Sequence, residues 1–192
     1  MLRHFRSQAT ALKAMLFLAA AGFASTCFAD SIRAPDGIAF TGANGNQTDI
    51  FGVGTYWNSL CQCAPLKERG FDTRLAAQIA YWHGNERPTD HESLWEASVT
   101  PYLRWTTPAI GPVALFAEVG LGASLLSATR INTERHFGSA FQFNEQGNVG
   151  VAFGPHNRYE LAGFVRHVSN GGIKEPNNGI TVFGGVLRVG FE

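Results

Sequence analysis

Three observations predict an all-β fold, an eight-stranded antiparallel up-and-down transmembrane β-barrel. Apolar and polar side chains alternate with period two in repeated short segments, as in strands with one apolar face. Turn-forming residues such as Asn44-Gly45 separate these segments. Tryptophans and tyrosines lie near segment ends and Phe191 lies next to the C-terminus, which matches the aromatic girdles of outer-membrane barrels.

The first 29 residues have the layout of a secretory signal peptide. Positive charges, an apolar run and small residues follow one another as Arg3, Arg6 and Lys13, then Met15 to Ala24, then C-F-A. Cleavage after Ala29 would leave residues 30–192, which we expect to form one domain, the outer-membrane β-barrel. A membrane-anchoring helix is less favoured because the apolar run is shorter than the roughly 20 residues that a span needs. A lipoprotein anchor at Cys27 is disfavoured by the preceding Ser25-Thr26.

Composition excludes several classes of function. Beyond Ala29 no uncharged apolar stretch is long enough for a spanning helix, so we expect export past the inner membrane. The formal net charge is zero and no basic run is present, so we expect no nucleic-acid partner. Cys61 and Cys63 would form a small disulfide or remain free thiols. Because no histidine lies at ligand spacing from them, we expect no metal site.

The predicted strands follow one another along the whole chain after the leader. They are about eight in number: 37–43, 51–58, 74–81, 95–105, 113–125, 141–153, 159–169 and 183–191. Pro101 interrupts the fourth strand, because proline cannot donate a ladder hydrogen bond, and a bulge there would accommodate it.

The polar side chains of these strands include charges of both signs, namely Arg74, Arg104, Arg166 and Arg188 together with Glu96, Glu118 and Glu160. In a barrel of about eight strands, interior side chains fill the lumen, so we expect paired charges and no conducting pore. The alternative is a soluble barrel of lipocalin type, with the apolar side chains inside and the charges outside.

A base and a nucleophile lie together near the end of the seventh strand. His167 and Ser169 are two residues apart, so both project from the face that carries Val165 and Leu161. If that face is the apolar exterior, the pair faces hydrocarbon. Strand counting places the connections near 44–47, 84–91, 127–136 and 170–179 outside the cell and the connection at 154–157 in the periplasm. The pair then lies in the outer leaflet, where lipid A acyl esters of lipopolysaccharide are the nearest ester bonds.

These residues resemble the outer-membrane lipid A 3-O-deacylase family, often called PagL. The resemblance is carried by R-H-V-S-N at Arg166 to Asn170, by Pro176-Asn177 and by Gly179-Ile180. It implies hydrolysis of the ester at the 3 position of lipid A, with release of a 3-hydroxy fatty acid and without a metal or an organic cofactor. By the same resemblance Ser169 matches the nucleophile and His167 the general base. Asn170 matches a residue needed for activity, and Asn177 matches an oxyanion-stabilising side chain.

The sequence departs from the family pattern at the acid of the triad, because Thr181 stands where the family has glutamate. If the turn at 154–157 is centred near His156, Glu145 lies opposite His167 and shares its outward face, so Glu145 is our first choice as the orienting acid. A one-residue register error would defeat that argument. Glu175 is the second choice, and a Ser-His dyad with Thr181 as a neutral partner is the third.

Other readings of these residues remain open. Asn170 and Asn177 flank Gly171-Gly172 and Pro176, where asparagine is a common turn former. The remaining turn histidines, His83, His91, His136 and His156, are expected at the surface. Phe141 and Phe143 are expected to contact lipid or to shape an acyl-chain groove.

The predicted function is therefore a lipid A deacylase of the outer membrane that binds lipopolysaccharide and membrane lipids. A catalytically silent barrel with a structural or adhesive role is the alternative, because the acid is replaced. An acyltransferase using the same pair is a third possibility. The choice between a monomer and a homodimer is left open.

Overall fold

The computed structural model describes residues 33–60, 64–85, 93–131 and 135–192. The predicted signal peptide, Cys61, Cys63 and His91 lie outside these ranges. Eight antiparallel strands pair in chain order, and β1 also pairs with β8, so the sheet closes into a barrel. The strands are β1 Gly37–Gly45, β2 Thr48–Asn58, β3 Phe71–Gly84, β4 Ser93–Thr106, β5 Val113–Leu126, β6 Phe141–Phe153, β7 Tyr159–Ser169 and β8 Ile180–Gly190. The predicted fold class is confirmed.

The connections alternate between the two ends of the barrel. One end carries the β1–β2, β3–β4, β5–β6 and β7–β8 connections, which are the four that we predicted to lie together. The β1–β2 turn consists of Asn46 and Gln47, both at positive φ, as a type I′ hairpin requires, whereas the predicted turn residues Asn44 and Gly45 are paired within β1. The other end carries a short helix, α1 Ala64–Lys67, and a 3₁₀ turn, Pro155–Asn157. No helix in the described ranges has the length and apolarity to cross a membrane.

The exterior of the barrel is apolar and its lumen is polar and charged. Large apolar side chains point outward on every strand, and Val149 is 71% and Phe51 65% exposed. The predicted lumen charges are all buried. This distribution rules out the alternative of a lipocalin-type barrel, which requires the reverse arrangement.

Ion pairs fill the half of the lumen away from the β7–β8 connection. Glu118 contacts Arg74, Arg104 and Arg188 at 2.7–2.9 Å. Glu160 contacts the same three guanidinium groups at 2.7–3.0 Å. Because each charge is buried and paired, the network satisfies groups that would be costly if left alone. The predicted pairing of lumen charges is confirmed.

An apolar plug fills the other half of the lumen, next to the β7–β8 connection. Trp82, Ile131, Phe137, Val168 and Val182 are all fully buried there. The Trp82 indole donates to Glu96 at 3.0 Å, and Glu96 also pairs with Arg166. Trp82 therefore belongs to the lumen and not to the predicted aromatic girdle. Its neighbour in the chain, Tyr81, instead packs edge-to-face against Trp95, with ring centres 5.3 Å apart.

The prediction of a bulge at Pro101 is wrong. Val99 pairs with Ala123 and Tyr102 with Gly120, so the β4–β5 register is the same on both sides of the proline. Only the two intervening pairs are missing, and the β3–β4 ladder continues through Leu75 and Pro101. The absent N–H therefore removes local ladder bonds on the β5 side without inserting a residue.

Candidate active site at the end of strands β6 to β8

The predicted catalytic residues lie in one row across three strands. Glu145 on β6 pairs with His167 on β7, and His167 pairs with Thr181 on β8. The predicted register around His156 is therefore confirmed. Phe143 pairs with Ser169 in the next row toward the loops. Since side chains on one face of a sheet repeat every two residues, all five project from the exterior wall.

The inward neighbours of these residues hold the row in place. Val168 lies between His167 and Ser169 and is fully buried, and Ile180 next to Thr181 is 1% exposed. Both side chains belong to the apolar core of the lumen. The alternation of the strands therefore anchors the site from inside while its polar groups face outward.

The orientation of the imidazole is set by its neighbours on β8 and in the loop before it. His167 Nδ1 lies 2.9 Å from Thr181 Oγ1. A Cβ on Gly179 would lie 3.3 Å from both His167 Nε2 and Ser169 Cβ, so a side chain at this position would press against both residues. Ser169 is only 7% exposed. The imidazole thus presents Nδ1 to Thr181 and its Nε2 edge to the side on which Ser169 lies.

Asn170 organises the loop that follows β7. Its side chain is fully buried, and Nδ2 donates to Phe137 O at 2.7 Å and to Lys174 O at 2.6 Å. Its Oδ1 accepts the Gly172 N–H at 2.9 Å. Both amide hydrogens are therefore used within the protein, which makes Asn170 a support for the loop.

Asn177 is held through its carbonyl oxygen. Asn177 Oδ1 accepts the Asn170 N–H at 3.1 Å, and the Asn177 N–H donates to Glu175 Oε2 at 3.1 Å. Asn177 is partly exposed. Its amide group is thus oriented by the loop, with the carbonyl turned toward the backbone of Asn170. Glu175, our second choice as the acid, has an exposed side chain that bonds within its own loop.

A segment of the β5–β6 connection clamps both ends of this loop. At one end, the Phe137 carbonyl accepts the hydrogen bond from Asn170 Nδ2. At the other end, His136 and Asn178 exchange two hydrogen bonds at 3.1 and 3.2 Å. Arg135 Nη1 donates to Gly179 O at 3.3 Å. Gly138 has a φ of 70°, and a Cβ there would lie 2.6 Å from both Lys174 O and Pro176 O. The close approach of the two loops therefore requires a glycine at this position.

The structure thus gathers Glu145, His167, Ser169, Asn170, Asn177 and Thr181 into one region. The predicted surface histidine His156 lies in the turn at the opposite end of the barrel. Sequence reasoning missed the roles of Gly179 and Gly138, since a glycine in a loop does not show what it contacts. Within the described ranges no three His, Cys, Asp or Glu residues are placed to hold a metal ion.

Comparison with known proteins identifies relatives over most of the chain. A family model described as lipid A 3-O-deacylase (PagL) matches residues 47–190. The lipid A deacylase PagL of Pseudomonas aeruginosa is 29% identical over 172 residues, which cover 88% of this chain and 94% of that protein. The lipid A deacylase PagL of Bordetella bronchiseptica is 36% identical over 102 residues, which cover 53% of this chain and about half, 52%, of that protein.

A solved structure shares the fold. The crystal structure of the outer membrane enzyme PagL superposes with a TM-score of 0.68 at 20% identity, covering 81% of this chain and 99% of that one. The family model covers about three quarters of the chain and includes every residue of the row on β6, β7 and β8. This chain belongs to the lipid A 3-O-deacylase (PagL) family.

Proposed function

We propose that this protein is an outer-membrane lipid A deacylase that hydrolyses the ester-linked 3-hydroxyacyl chain at the 3 position of lipid A. The observation that carries the proposal is the outward projection of His167 and Ser169 from an apolar wall, at one end of a closed barrel. A membrane-embedded ester can reach that wall from the side, through the lipid. Membership of the family supports the same substrate and reaction.

In the proposed mechanism Ser169 Oγ attacks the ester carbonyl while His167 Nε2 takes the hydroxyl proton. The tetrahedral intermediate collapses, the bond to the sugar oxygen breaks, and the imidazolium returns the proton to that oxygen. Water, deprotonated by His167, then attacks the acyl-enzyme, the bond to Ser169 Oγ breaks, and the imidazolium returns its proton to that oxygen. The products are the 3-hydroxy fatty acid and the free serine.

Two neighbours share the task of the missing glutamate. Thr181 Oγ1, 2.9 Å from Nδ1, accepts the Nδ1–H and selects the tautomer with a basic Nε2. Glu145, across the β6–β7 ladder, supplies the negative charge that favours the imidazolium. Our sequence-based first and third choices for the orienting group thus lie on the two strands that flank His167.

The oxyanion is stabilised by Asn177. Because Oδ1 accepts the Asn170 N–H, the two Nδ2 hydrogens are turned away from that backbone and are available to a substrate oxygen. Removing one such donor typically costs about 2.7–4 kcal/mol of barrier. Asn170 acts indirectly, since its own amide hydrogens hold the Phe137 and Lys174 carbonyls.

The acyl chain lies on the exterior wall beside Ser169. Phe141 and Phe143 stack edge-to-face there with ring centres 5.1 Å apart, and Phe143 is the cross-strand neighbour of Ser169. Delivery to the outer membrane would use residues 1–29 as a cleaved signal peptide. All the proposed site residues come from one chain, so the mechanism requires no second subunit.

The test is mass spectrometry of lipid A from Gram-negative cells that express the wild type, Ser169→Ala or Ser98→Ala. Ser98 is a suitable control because it is also 7% exposed but faces the lumen. We expect loss of one 3-hydroxyacyl chain with the wild type and Ser98→Ala, and intact lipid A with Ser169→Ala. Unchanged lipid A in all three strains would indicate a silent barrel, and a mass gain on an acceptor lipid would indicate an acyltransferase.

A further inference from the structure

The β1–β2 turn reaches the site from the side opposite to β7. The β1–β8 ladder ends at the pair Asn44 and Phe183. Two residues further along each strand, the side chain of Asn46 continues the ladder, because its Oδ1 accepts the Thr181 N–H at 2.9 Å. The Thr181 N–H lies beyond the last residue pair of the β1–β8 ladder, so the Asn46 side chain supplies the acceptor that β1 no longer offers there.

Gly45 brings the turn into close contact with the same residue. A Cβ on Gly45 would lie 2.4 Å from Thr181 O and 2.8 Å from Val182 Cα. Real side chains do not tolerate such distances to backbone atoms, so glycine is required for this approach. The backbone of Thr181 is thus contacted by the turn at both its N–H and its carbonyl group.

We propose that Asn46 is a positioning residue for catalysis, which acts through Thr181 on the imidazole of His167. The N–H of Thr181 is fixed by Asn46 Oδ1, and Thr181 Oγ1 lies 2.9 Å from His167 Nδ1. Loss of the first bond frees the β1 side of Thr181, while the β7–β8 ladder remains, so Thr181 can shift and with it the hydroxyl group that orients the ring.

This inference rests on the proposed function, and the first experiment measures hydrolysis of purified lipopolysaccharide by the full barrel in detergent. Asn46 has a φ of 49°, which glycine and aspartate also tolerate. Asn46→Gly keeps the turn and removes the acceptor, whereas Asn46→Asp keeps both. We expect Asn46→Gly to lower kcat roughly 10- to 100-fold with little change in KM, and Asn46→Asp to restore most of it.

Two further variants separate positioning from a loosened turn. Gln47→Gly removes the other side chain of the same turn, at a φ of 58°, and should keep kcat within about twofold of the wild type. Thr181→Val removes the hydroxyl group. If Asn46 acts through Thr181, the double variant Asn46→Gly/Thr181→Val has the kcat of Thr181→Val alone. Losses that multiply, or an equal loss with Gln47→Gly, would overturn the inference.

A spectroscopic measurement keeps this test distinct from that of the deacylase activity. The ¹⁵N signals of the His167 ring, assigned with His167→Asn, report which nitrogen carries the proton. We expect the Nδ1–H tautomer in the wild type and a mixture of tautomers in Asn46→Gly. An inactive wild type with this tautomer shift would refute the deacylase and retain the positioning role. Identical ring signals in the wild type and Asn46→Gly would refute the positioning role.

Discussion

A single glycine, Gly179, decides how closely the loop before β8 can approach the side chains of His167 and Ser169. Gly179 has a φ of 61°, a conformation that is costly for other residues. A Cβ there would also lie 3.1 Å from His167 Cε1, where the imidazole would have to move. Two independent constraints therefore require glycine at the same position, and only the second concerns the position of the imidazole.

A comparison of Gly179→Ala with Gly111→Ala separates the backbone constraint, which both positions share, from the contact with the imidazole, which only Gly179 has. Gly111 has a φ of 64°, but a Cβ there meets nothing within 4 Å. Both variants should lose about 1–3 kcal/mol of unfolding free energy from backbone strain. Only Gly179→Ala should lower kcat, by about 100-fold, because it displaces the imidazole. Equal activities of the two folded variants in the fatty-acid release assay would contradict this role of Gly179.

Strand register is the feature that brings three side chains from separate strands into one row. Glu145, His167 and Thr181 are far apart in sequence, and each pairs directly with the next across the sheet. A shift of one residue in either ladder would turn one partner into the lumen. The buried residues Val168 and Ile180 oppose such a shift, because it would expose them to the outside.

Substitutions on β6 and β8, the two strands that flank β7, should distinguish the roles of Glu145 and Thr181. Thr181→Val should lower kcat roughly tenfold or more, because Nδ1–H loses its acceptor. Thr181→Glu should retain or raise kcat, since it restores a carboxylate beside the ring.

Glu145→Gln keeps the shape of the side chain but removes its charge and should also lower kcat. Unchanged turnover in Glu145→Gln would exclude Glu145 as a contributor and leave a Ser-His dyad with Thr181.

At the scale of the whole barrel, two buried carboxylates compensate three buried guanidinium groups in the lumen. Glu118 and Glu160 together contact Arg74, Arg104 and Arg188, so loss of either carboxylate leaves buried positive charge uncompensated. This network lies away from the β7–β8 connection. The ion-pair network and the candidate active site therefore lie in different halves of the barrel.

Glu118→Gln should destabilise the barrel without changing its chemistry. Breaking a buried ion pair on one side typically costs about 3–5 kcal/mol. The matched control is Glu192→Gln, because Glu192 pairs with Arg158 but its side chain is 85% exposed, and an exposed pair contributes about 0–1 kcal/mol. Urea unfolding in lipid or detergent, followed by tryptophan fluorescence, measures both. Equal stabilities of the two variants would contradict a structural role for the network, and the specific activity of folded Glu118→Gln should equal that of the wild type.

Much of the architecture could be predicted from the chain. Alternation of side chains locates the strands and their two faces, because the period of a strand is two. Arg74 and Glu160 could thus be assigned to the lumen, and Glu145 could be placed opposite His167 by counting residues around His156. The partner of Trp82 could not be predicted, since alternation shows the face on which a side chain lies but not that its indole donates to Glu96 on the next strand.

The sequence by itself determined the barrel, its apolar exterior and the outward placement of His167 and Ser169 on one strand, because these depend on local periodicity and spacing. Only the tertiary structure decided what surrounds that pair. Thr181 Oγ1 lies against His167 Nδ1, and Asn46 holds the Thr181 N–H from the β1 side of β8. Gly138 and Gly179 allow the neighbouring loops to approach the site closely. Such contacts join residues that are distant in sequence, and they exist only once closure of the barrel brings β1 next to β8 and the loops of neighbouring hairpins together.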